Sequence, residues 1–247
     1  MKLLKKIRKT FQVVLLMLLI TNVYGQEENL KITKKEIINK AWEVMFGKFK
    51  PDDIKSIYVE GFFHGRDVPT KTTIIRPNLF RNEIASGVLV FDGKQAAWVE
   101  RKPDEKGNKL YPEMIESEYW RHFEVDIAVI FPAFFDFPCE LRGVKKKGER
   151  KVYELYVDLP LGSNVSYFVD AETFLVTSRL VSWDGDPKAE LWENLITKYI
   201  DYKGILFPDG YSFVGNDGKE KGFFKNVKFN IKLESKLFKI PKELIDK

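Results

Sequence analysis

Two neighbouring stretches of the sequence show the pattern of strands and turns most clearly. They read Ile75-Arg76-Pro77-Asn78-Leu79-Phe80-Arg81 and Val88-Leu89-Val90-Phe91-Asp92-Gly93-Lys94, and Trp98 follows them. Pro77 has no backbone N–H, so pairing to a neighbouring strand ends there, and Asn78 favours the turn that follows. Asp92-Gly93 supplies the positive φ angles of a tight hairpin. The two stretches therefore predict strands joined first by a turn and then by a hairpin.

Short β-rich runs separated by turn residues continue in both directions from this point. The predicted strands are 54–63, 70–76, 80–84, 88–91, 96–101, 140–145, 151–158, 165–170, 174–182, 189–202, 205–207, 211–214 and 223–233. Turn signals stand between them, such as His64-Gly65-Arg66-Asp67 and Asp170-Ala171-Glu172-Thr173. Short strands at regular spacing indicate one continuous antiparallel meander. The predicted fold class is mainly β, with a single curved antiparallel sheet.

Helical patterns appear in two places. Thr33 and Glu36 have the spacing of a capping box, and apolar residues then recur at helical spacing up to Gly47, so 33–46 is predicted to be an amphipathic helix. Pro112 and Glu113 suit the start of a second helix. The phenylalanine-rich residues 123–137 are predicted to form helix or helical turns. A partly open sheet has a concave face that needs cover, and these helices are the candidates to cover it.

The first residues have the order of a secretory signal peptide. A basic segment precedes an apolar run at residues 11–20, and a polar break then ends in Gly25. The run has about 10 residues, against the ~20 that cross a bilayer as a helix; an uncleaved membrane anchor is the alternative. Cleavage after Gly25 leaves residues 26–247 as one periplasmic domain. The cleavage site has no cysteine, so neither a lipid anchor nor another stable membrane anchor is predicted.

The charge balance changes when the predicted signal peptide is set aside. The full chain has 41 Lys and Arg against 36 Asp and Glu, which gives a net charge of +5. Residues 1–25 contain five of the basic residues and none of the acidic ones. The remaining chain is therefore neutral. The basic pI does not indicate nucleic-acid binding, and no nucleic acid is expected as a partner.

The sequence contains no recognisable catalytic motif. His64 and His122 lie far apart and in no metal-ligand spacing, and glycine patterns of nucleotide-binding proteins or of a nucleophile elbow do not occur. Cys139 is the only cysteine, so an internal disulfide is excluded and a buried, inert thiol is predicted. We therefore predict no catalytic residue, no metal and no cofactor. An active site built from residues distant in sequence is the alternative.

Apolar and aromatic residues are more numerous than one small helix–sheet contact requires. Helices that cover a concave face leave a pocket that such residues can line. The predicted ligand-binding residues are Leu79, Phe80, Leu89, Phe91, Trp98, Trp120, Phe131, Phe134 and Phe135. The alternative for each of them is that it simply fills the core.

The two opening stretches resemble the signature region of the LolA/LolB-like lipoprotein-localisation family. In that family a strand ends in an Arg-Pro-Asn-Leu-Phe type of sequence, and a hairpin with Asp-Gly-Lys and an aromatic residue follows. Residues 167–175 are similar to a later turn of the family, and residues 200–208 are similar to a segment of its outer-membrane lipoprotein-sorting branch. The likeness runs loosely over residues 34–241. It implies a half-closed antiparallel barrel whose helices cover the concave face.

The resemblance also implies a function. Carrier members of the family take lipid-modified proteins across the periplasm and hold their acyl chains in a hydrophobic cavity, and an arginine on the first strand bonds a covering helix. The first predicted strand here has no arginine, and Arg66 stands in the following turn, so a departure from that open–close mechanism is expected. The favoured function is a periplasmic carrier or binder of lipid or lipoprotein acyl chains. A non-catalytic interaction or sensor module with an envelope protein as partner is the alternative.

Overall fold

The structure, a computed structural model, describes residues 32–62, 69–103, 106–108, 110–183, 192–196, 198–215 and 218–245. The predicted signal peptide, its cleavage site and the predicted turn with His64 and Arg66 lie outside these residues. None of the helices in the described ranges has the length and apolar character needed to span a bilayer.

Strands make up most of the described chain, and every predicted strand corresponds to one or two observed ones. Their bounds are β1 Ser56–Phe62, β2 Pro69–Ile75, β3 Leu79–Ile84, β4 Gly87–Phe91, β5 Ala96–Arg101, β6 Glu113–Met114, β7 Cys139–Lys147, β8 Arg150–Asp158, β9 Ser163–Asp170, β10 Val176–Trp183, β11 Trp192–Leu195, β12 Tyr199–Asp201, β13 Leu206–Pro208, β14 Gly210–Gly215 and β15 Gly218–Phe229. The hairpin predicted at Asp92-Gly93 is present. Gly93 has a φ of 91°, and the Asp92 carboxylate accepts the N–H groups of Lys94 and Gln95.

One antiparallel sheet of 13 strands has the order β6-β5-β4-β3-β2-β1-β15-β14-β11-β10-β9-β8-β7, and β12 and β13 form a separate pair. The continuous meander that we predicted is wrong. The chain makes two meanders, which join where Ile57 of β1 stands opposite Phe229 of β15. Regular spacing identifies neighbouring hairpins but not a pairing between the first and last strands. Because β6 and β7 are the two edges, the sheet is not closed into a barrel, and the mainly β prediction is confirmed.

Helices α1, Lys34–Phe46, and α2, Trp120–Ile130, are the longer helices of the described chain, and α3 is the short Lys242–Ile245. The predicted capping box is confirmed, because Thr33 and Glu36 exchange hydrogen bonds at the start of α1. The helix start predicted at Pro112 and Glu113 is wrong. Residues 113–114 instead form β6, because the open edge of β5 offers backbone partners opposite Trp98 and Ala97.

The sheet curves around α2. The ring of Phe123, on α2, lies 6.2 Å from the ring of Phe80 on β3, and the carbonyl of Ala128, also on α2, accepts the hydroxyl of Tyr167 on β9 at 3.0 Å. Seven strand spacings separate β3 from β9, which is about 34 Å across a flat sheet, whereas α2 is only about 16 Å long. Both halves of the sheet can reach the same helix only if the sheet is bent. Its inner face and the two longer helices share one hydrophobic core.

A second, smaller core lies on the opposite face of β4 and β5. Its buried members are Val88, Val90, Ala97, Phe238, Ile240 and Leu244. Because side chains alternate along a strand, Leu89 and Phe91 of β4 lie in the main core, and Val88 and Val90 lie in the second core. Residues 233–245 cover the outer face at this point, and all of β4 is therefore buried.

Candidate ligand-binding interior

An aromatic cluster of Trp42, Phe46, Phe131, Phe134 and Phe135 lies where α1 meets the end of α2. Trp42 and Phe46 are one turn apart on α1, so their rings share a face, with centroids 4.1 Å apart. Pro132 cannot continue α2, and the 3₁₀ turn Ala133–Phe135 follows. This turn places the Phe135 ring 4.9 Å from Trp42 and the Phe134 ring 4.4 Å from Phe135. The cluster therefore attaches the end of α2 to α1.

Arg76, directly after β2, connects this aromatic cluster to the sheet. Its Nε and Nη2 donate to both carboxylate oxygens of Asp136 at 2.7–3.2 Å, and its Nη1 donates to the carbonyl oxygens of Pro51 and Ile54 at 2.7 and 2.6 Å. The guanidinium also lies 4.4 Å from the centre of the Phe131 ring. Both charged side chains are largely buried, with 9% and 14% exposure. The pair joins the end of β2 to the turn after α2.

Tyr167 connects the same turn to the other half of the sheet. Its side chain is fully buried on β9. The hydroxyl donates to the carbonyl of Ala128 at 3.0 Å and accepts the N–H of Ala133 at 2.8 Å. The Ala128 carbonyl is one of the last four of α2, which the helix leaves without partners of its own, and Ala133 begins the 3₁₀ turn that follows. Residues 128–136 are therefore held by polar contacts from both halves of the sheet.

Glu124 is the buried carboxylate of α2. One of its oxygens accepts the N–H of Leu161, in the β8–β9 loop, at 2.7 Å. The other, Oε1, has no hydrogen-bond partner among the described residues. Burial raises the pKa of Glu124 to about 6, and the Leu161 hydrogen bond opposes this shift only in part. The group therefore changes charge near neutral pH, in the helix that covers the inner face of the sheet.

The space next to Glu124 is small. A gap bordered by Pro77, Glu124, Phe131, Asp136 and Leu159 has a volume of about 10 Å³, which is room for about one water molecule. Pockets that hold small-molecule ligands occupy about 300–1,000 Å³. This gap is therefore too small to hold a ligand of that size.

Replacing Glu124 by Gln is expected to make stability less dependent on pH. The carboxyl pKa is higher in the folded chain, about 6, than its ordinary 4.5, so the wild type loses about 2 kcal/mol of stability as pH rises through this interval. Glutamine keeps an acceptor for Leu161 without a charge. Urea unfolding at pH 4 and pH 7.5 should show the advantage of Glu124→Gln over wild type growing by about that amount. An advantage that is constant with pH would contradict the raised pKa.

Eight of the nine predicted ligand-binding residues lie on the inner face. Those buried in the main core are Phe80, Leu89, Phe91, Phe131 and Phe134, and those partly buried against it are Trp98, Trp120 and Phe135. Leu79 lies apart from them, against the second core on the outer face, because it is next to Phe80 on β3 and side chains alternate. Phe131 is the one among the nine that borders the small gap. Their role in binding stays a prediction.

The residues that sequence reasoning missed are polar. Arg76 was part of a quoted motif, but its partner Asp136 is 60 positions away, so no local pattern could have shown the pair. Glu124 was one acidic residue of a helix with an otherwise apolar face, which is a weak signal of burial. Arg179, on β10, is buried with Asn194 of β11 directly opposite it. Because Ser178 and Arg179 are both buried, burial on β10 does not alternate strictly, and the strand pattern gave no signal for Arg179.

Other reactive groups are not gathered into a site. The Cys139 thiol is half-buried, and burial raises its pKa, as expected for an inert thiol. Across the described ranges, no three His, Cys, Asp or Glu side chains are placed to hold a metal ion. A cleft of about 470 Å³ on the outer face is lined by charges of both signs, including Glu60, Lys71 and Glu83.

Comparison with solved structures shows the same fold in two proteins. A LolA superfamily protein from Nitrosomonas europaea superposes with a TM-score of 0.57 at 13% identity, over 85% of this chain and 98% of that one. A DUF1329 family protein from Desulfovibrio piger gives a TM-score of 0.50 at 11% identity, over 83% and 96%. No family model matches the sequence. No curated protein matches it significantly.

The chain thus has a LolA-like fold, with a large antiparallel sheet that stays open and carries helices on its inner face. This confirms, for the fold, the likeness first noticed in the strand and hairpin motifs. At 11–13% identity the comparison establishes architecture and not activity.

Proposed function

We propose that this LolA-like chain is a non-catalytic periplasmic protein that binds lipid or the acyl chains of lipoproteins between α2 and the inner face of its sheet. The proposal rests on the way in which segment 120–137 is attached to the sheet. This segment covers the inner face with apolar side chains but is fastened by a small set of polar contacts, mainly the Arg76–Asp136 ion pair and the Tyr167 hydroxyl. The signal peptide predicted at residues 1–25 supports the compartment.

The free energy of binding favours a process in which an acyl chain replaces the apolar contacts between segment 120–137 and the sheet. The opening of an empty cavity would lose these contacts without replacement. When segment 120–137 moves outward, the rings of Phe80, Phe91 and Tyr167 lose their contacts with Phe123 and Phe134. An acyl chain that enters restores apolar contact, and each buried CH₂ contributes about 0.8 kcal/mol. A chain of ten or more carbons therefore offsets the loss of several ring contacts.

Uptake of cis-parinaric acid, a fluorescent fatty acid, tests the proposal. We expect saturable binding by the purified protein, and we expect Asp136→Asn to accelerate uptake by at least about tenfold. The substitution leaves the Arg76 guanidinium without its counter-charge, and every ~1.4 kcal/mol by which the closed state is weakened makes it open about ten times as often. The matched control is Glu83→Gln, which weakens the partly exposed Arg81–Glu83 pair on β3 and should leave the uptake rate unchanged.

Two results would count against the proposal. Absence of probe uptake by the wild type and by Asp136→Asn would exclude a lipid-binding interior. Equal uptake rates for both would exclude movement of segment 120–137 as the route of entry. Native mass spectrometry of the protein taken gently from its own envelope, followed by lipid extraction, gives an independent measurement that requires no variant.

The packed gap beside α2 favours a second candidate function, a protein-interaction module on the same fold. With about 10 Å³ of free space, this gap is far smaller than a ligand pocket. This function predicts that affinity capture recovers one specific envelope protein and that added fatty acid does not reduce its recovery. Competition by fatty acid would favour the lipid-binding function instead.

A further inference from the structure

Arg179 and Asn194 lie side by side on the inner face of the sheet. Arg179 of β10 stands opposite Tyr167 of β9 and opposite Asn194 of β11. Residues opposite one another in antiparallel strands point to the same face, and Tyr167 belongs to the main core. Arg179 and Asn194 are exposed by only 2% and 1%. A cation and an amide are therefore placed inside an apolar interior.

Both side chains have polar atoms without partners. The guanidinium Nε and Nη2 of Arg179 and both amide atoms of Asn194 make no hydrogen bond to any residue that the structure describes. The ionisable groups that act on Arg179 are Tyr167, Tyr199 and Tyr211, and no carboxylate is among them. The hydroxyls of Tyr167 and Tyr199 donate to the backbone carbonyls of Ala128 and Val176. The positive charge thus has no anionic partner among the groups that act on it.

A buried guanidinium in this state carries a large free-energy cost. Arginine keeps its proton in proteins, although burial lowers the pKa of Arg179, and an ion moved from water to the interior loses several kcal/mol of solvation unless a counter-charge compensates. Unsatisfied amide atoms add to the cost. An anion that enters from outside would recover much of it.

The unpartnered atoms indicate the geometry of that anion. Nε and Nη2 form one edge of the guanidinium fork, which matches the two oxygens of a carboxylate. Arg76 uses the same two atoms to hold the Asp136 carboxylate in this protein. Asn194, directly opposite Arg179 on β11, has a further unpartnered donor, Nδ2. Since the same core contains the fully buried Val165, Val169 and Val181, the remainder of the ligand must be apolar.

We propose that Arg179 and Asn194 bind the carboxylate of a long-chain fatty acid inside the main core. This inference rests on the proposed lipid-binding function and makes it more specific, because it assigns a free fatty acid, with its ionised head group inward, as the ligand class. An acyl chain in ester or amide linkage has no such charge and would leave the Arg179 guanidinium without a counter-ion.

The test compares cis-parinaric acid with its methyl ester, which differs in head-group charge. We expect the wild type to bind the acid at least tenfold more tightly than the ester. In Arg179→Met, affinity for the acid should fall to that for the ester, while affinity for the ester stays unchanged. The control Arg142→Met removes an arginine of β7 that pairs with Glu140 and should preserve the tenfold preference.

The stability of the variants separates binding from a structural role. Because Arg179→Met removes an uncompensated buried charge, its Tm without ligand should be equal to or above that of the wild type. A lower Tm with weaker binding of both probes would assign a structural role and overturn the inference. Arg179→Lys keeps a charge but loses the fork, and it should bind the acid less tightly than the wild type does.

The failures of the two proposals are distinguishable. Equal affinity of the wild type for acid and ester overturns the carboxylate site and leaves the lipid-binding interior standing. Failure of the wild type to bind either probe overturns both. The affinities of the wild type for the acid and for the ester are sufficient to distinguish these outcomes, whether or not the variants fold.

Discussion

Arg76→Ala is expected to lower the free energy of unfolding by about 3–5 kcal/mol, because removal of one partner of a buried ion pair leaves the other charge uncompensated. Asp136, with 14% exposure, would lose its bidentate partner. The carbonyl oxygens of Pro51 and Ile54 would lose their donor as well. Urea denaturation followed by circular dichroism measures the loss, with the protein kept at one pH and salt concentration.

A double-mutant cycle separates the ion pair from the other contacts of Arg76. Asp136→Leu combined with Arg76→Met should be considerably more stable than the sum of the single effects predicts, since two apolar residues leave no unpaired charge. Arg81→Ala, which removes the partly exposed pair with Glu83, should cost only about 1 kcal/mol or less. A similar cost for Arg76→Ala and Arg81→Ala would mean that the Arg76–Asp136 pair does not fasten the segment.

Phe131→Ala is expected to cost a similar amount, about 3–5 kcal/mol, for a different reason. Phe131 is 2% exposed, and its ring centre lies 5.5 Å from Phe46 and 5.7 Å from Phe135. Truncation of a buried Phe forfeits its transfer free energy and leaves a cavity that the neighbours fill only in part. The same urea titration measures the loss, and the small gap that Phe131 borders should become larger.

Phe223→Ala provides the comparison for Phe131→Ala. Phe223 is 50% exposed on β15, so its truncation should change the free energy of unfolding by only about 0.5 kcal/mol. If Phe131→Ala cost no more than Phe223→Ala, the aromatic cluster would not be a packed part of the folded state. Faster uptake of cis-parinaric acid by Phe131→Ala would in addition tie the cluster to ligand entry.

What the sequence predicted well depends on contacts between near neighbours. The Thr33–Glu36 capping box and the Asp92-Gly93 hairpin each involve atoms within three residues of one another, so the residue types alone are sufficient. Glu113 shows the opposite case. Its local pattern suits a helix, yet the open edge of β5 draws it into a strand. At Glu113, backbone pairing with β5 therefore decided the structure against the helical preference of the local sequence.

The polar part of the candidate site could not be predicted for a related reason. Arg76 and Asp136 meet only because the sheet bends around α2, and Arg179 lacks a partner only because its neighbours across the strands are Tyr167 and Asn194. Charged residues are usually exposed, so a sequence gives them no reason to be placed inside. The aromatic residues were easier to place, since apolar residues in a chain of this length belong mostly in a core.

The pairing of β1 with β15 has a consequence for how the chain reaches its native state. One side of β1, residues 56–62, stays without its partner strand until residues 218–229, far later in the chain, are available. Contacts so distant in sequence raise the contact order and slow folding. In the meantime the unpaired strand is a template for aggregation. A protein exported from its N-terminus would carry this exposed edge until β15 has crossed the membrane, so chaperone protection is most valuable before β15 arrives.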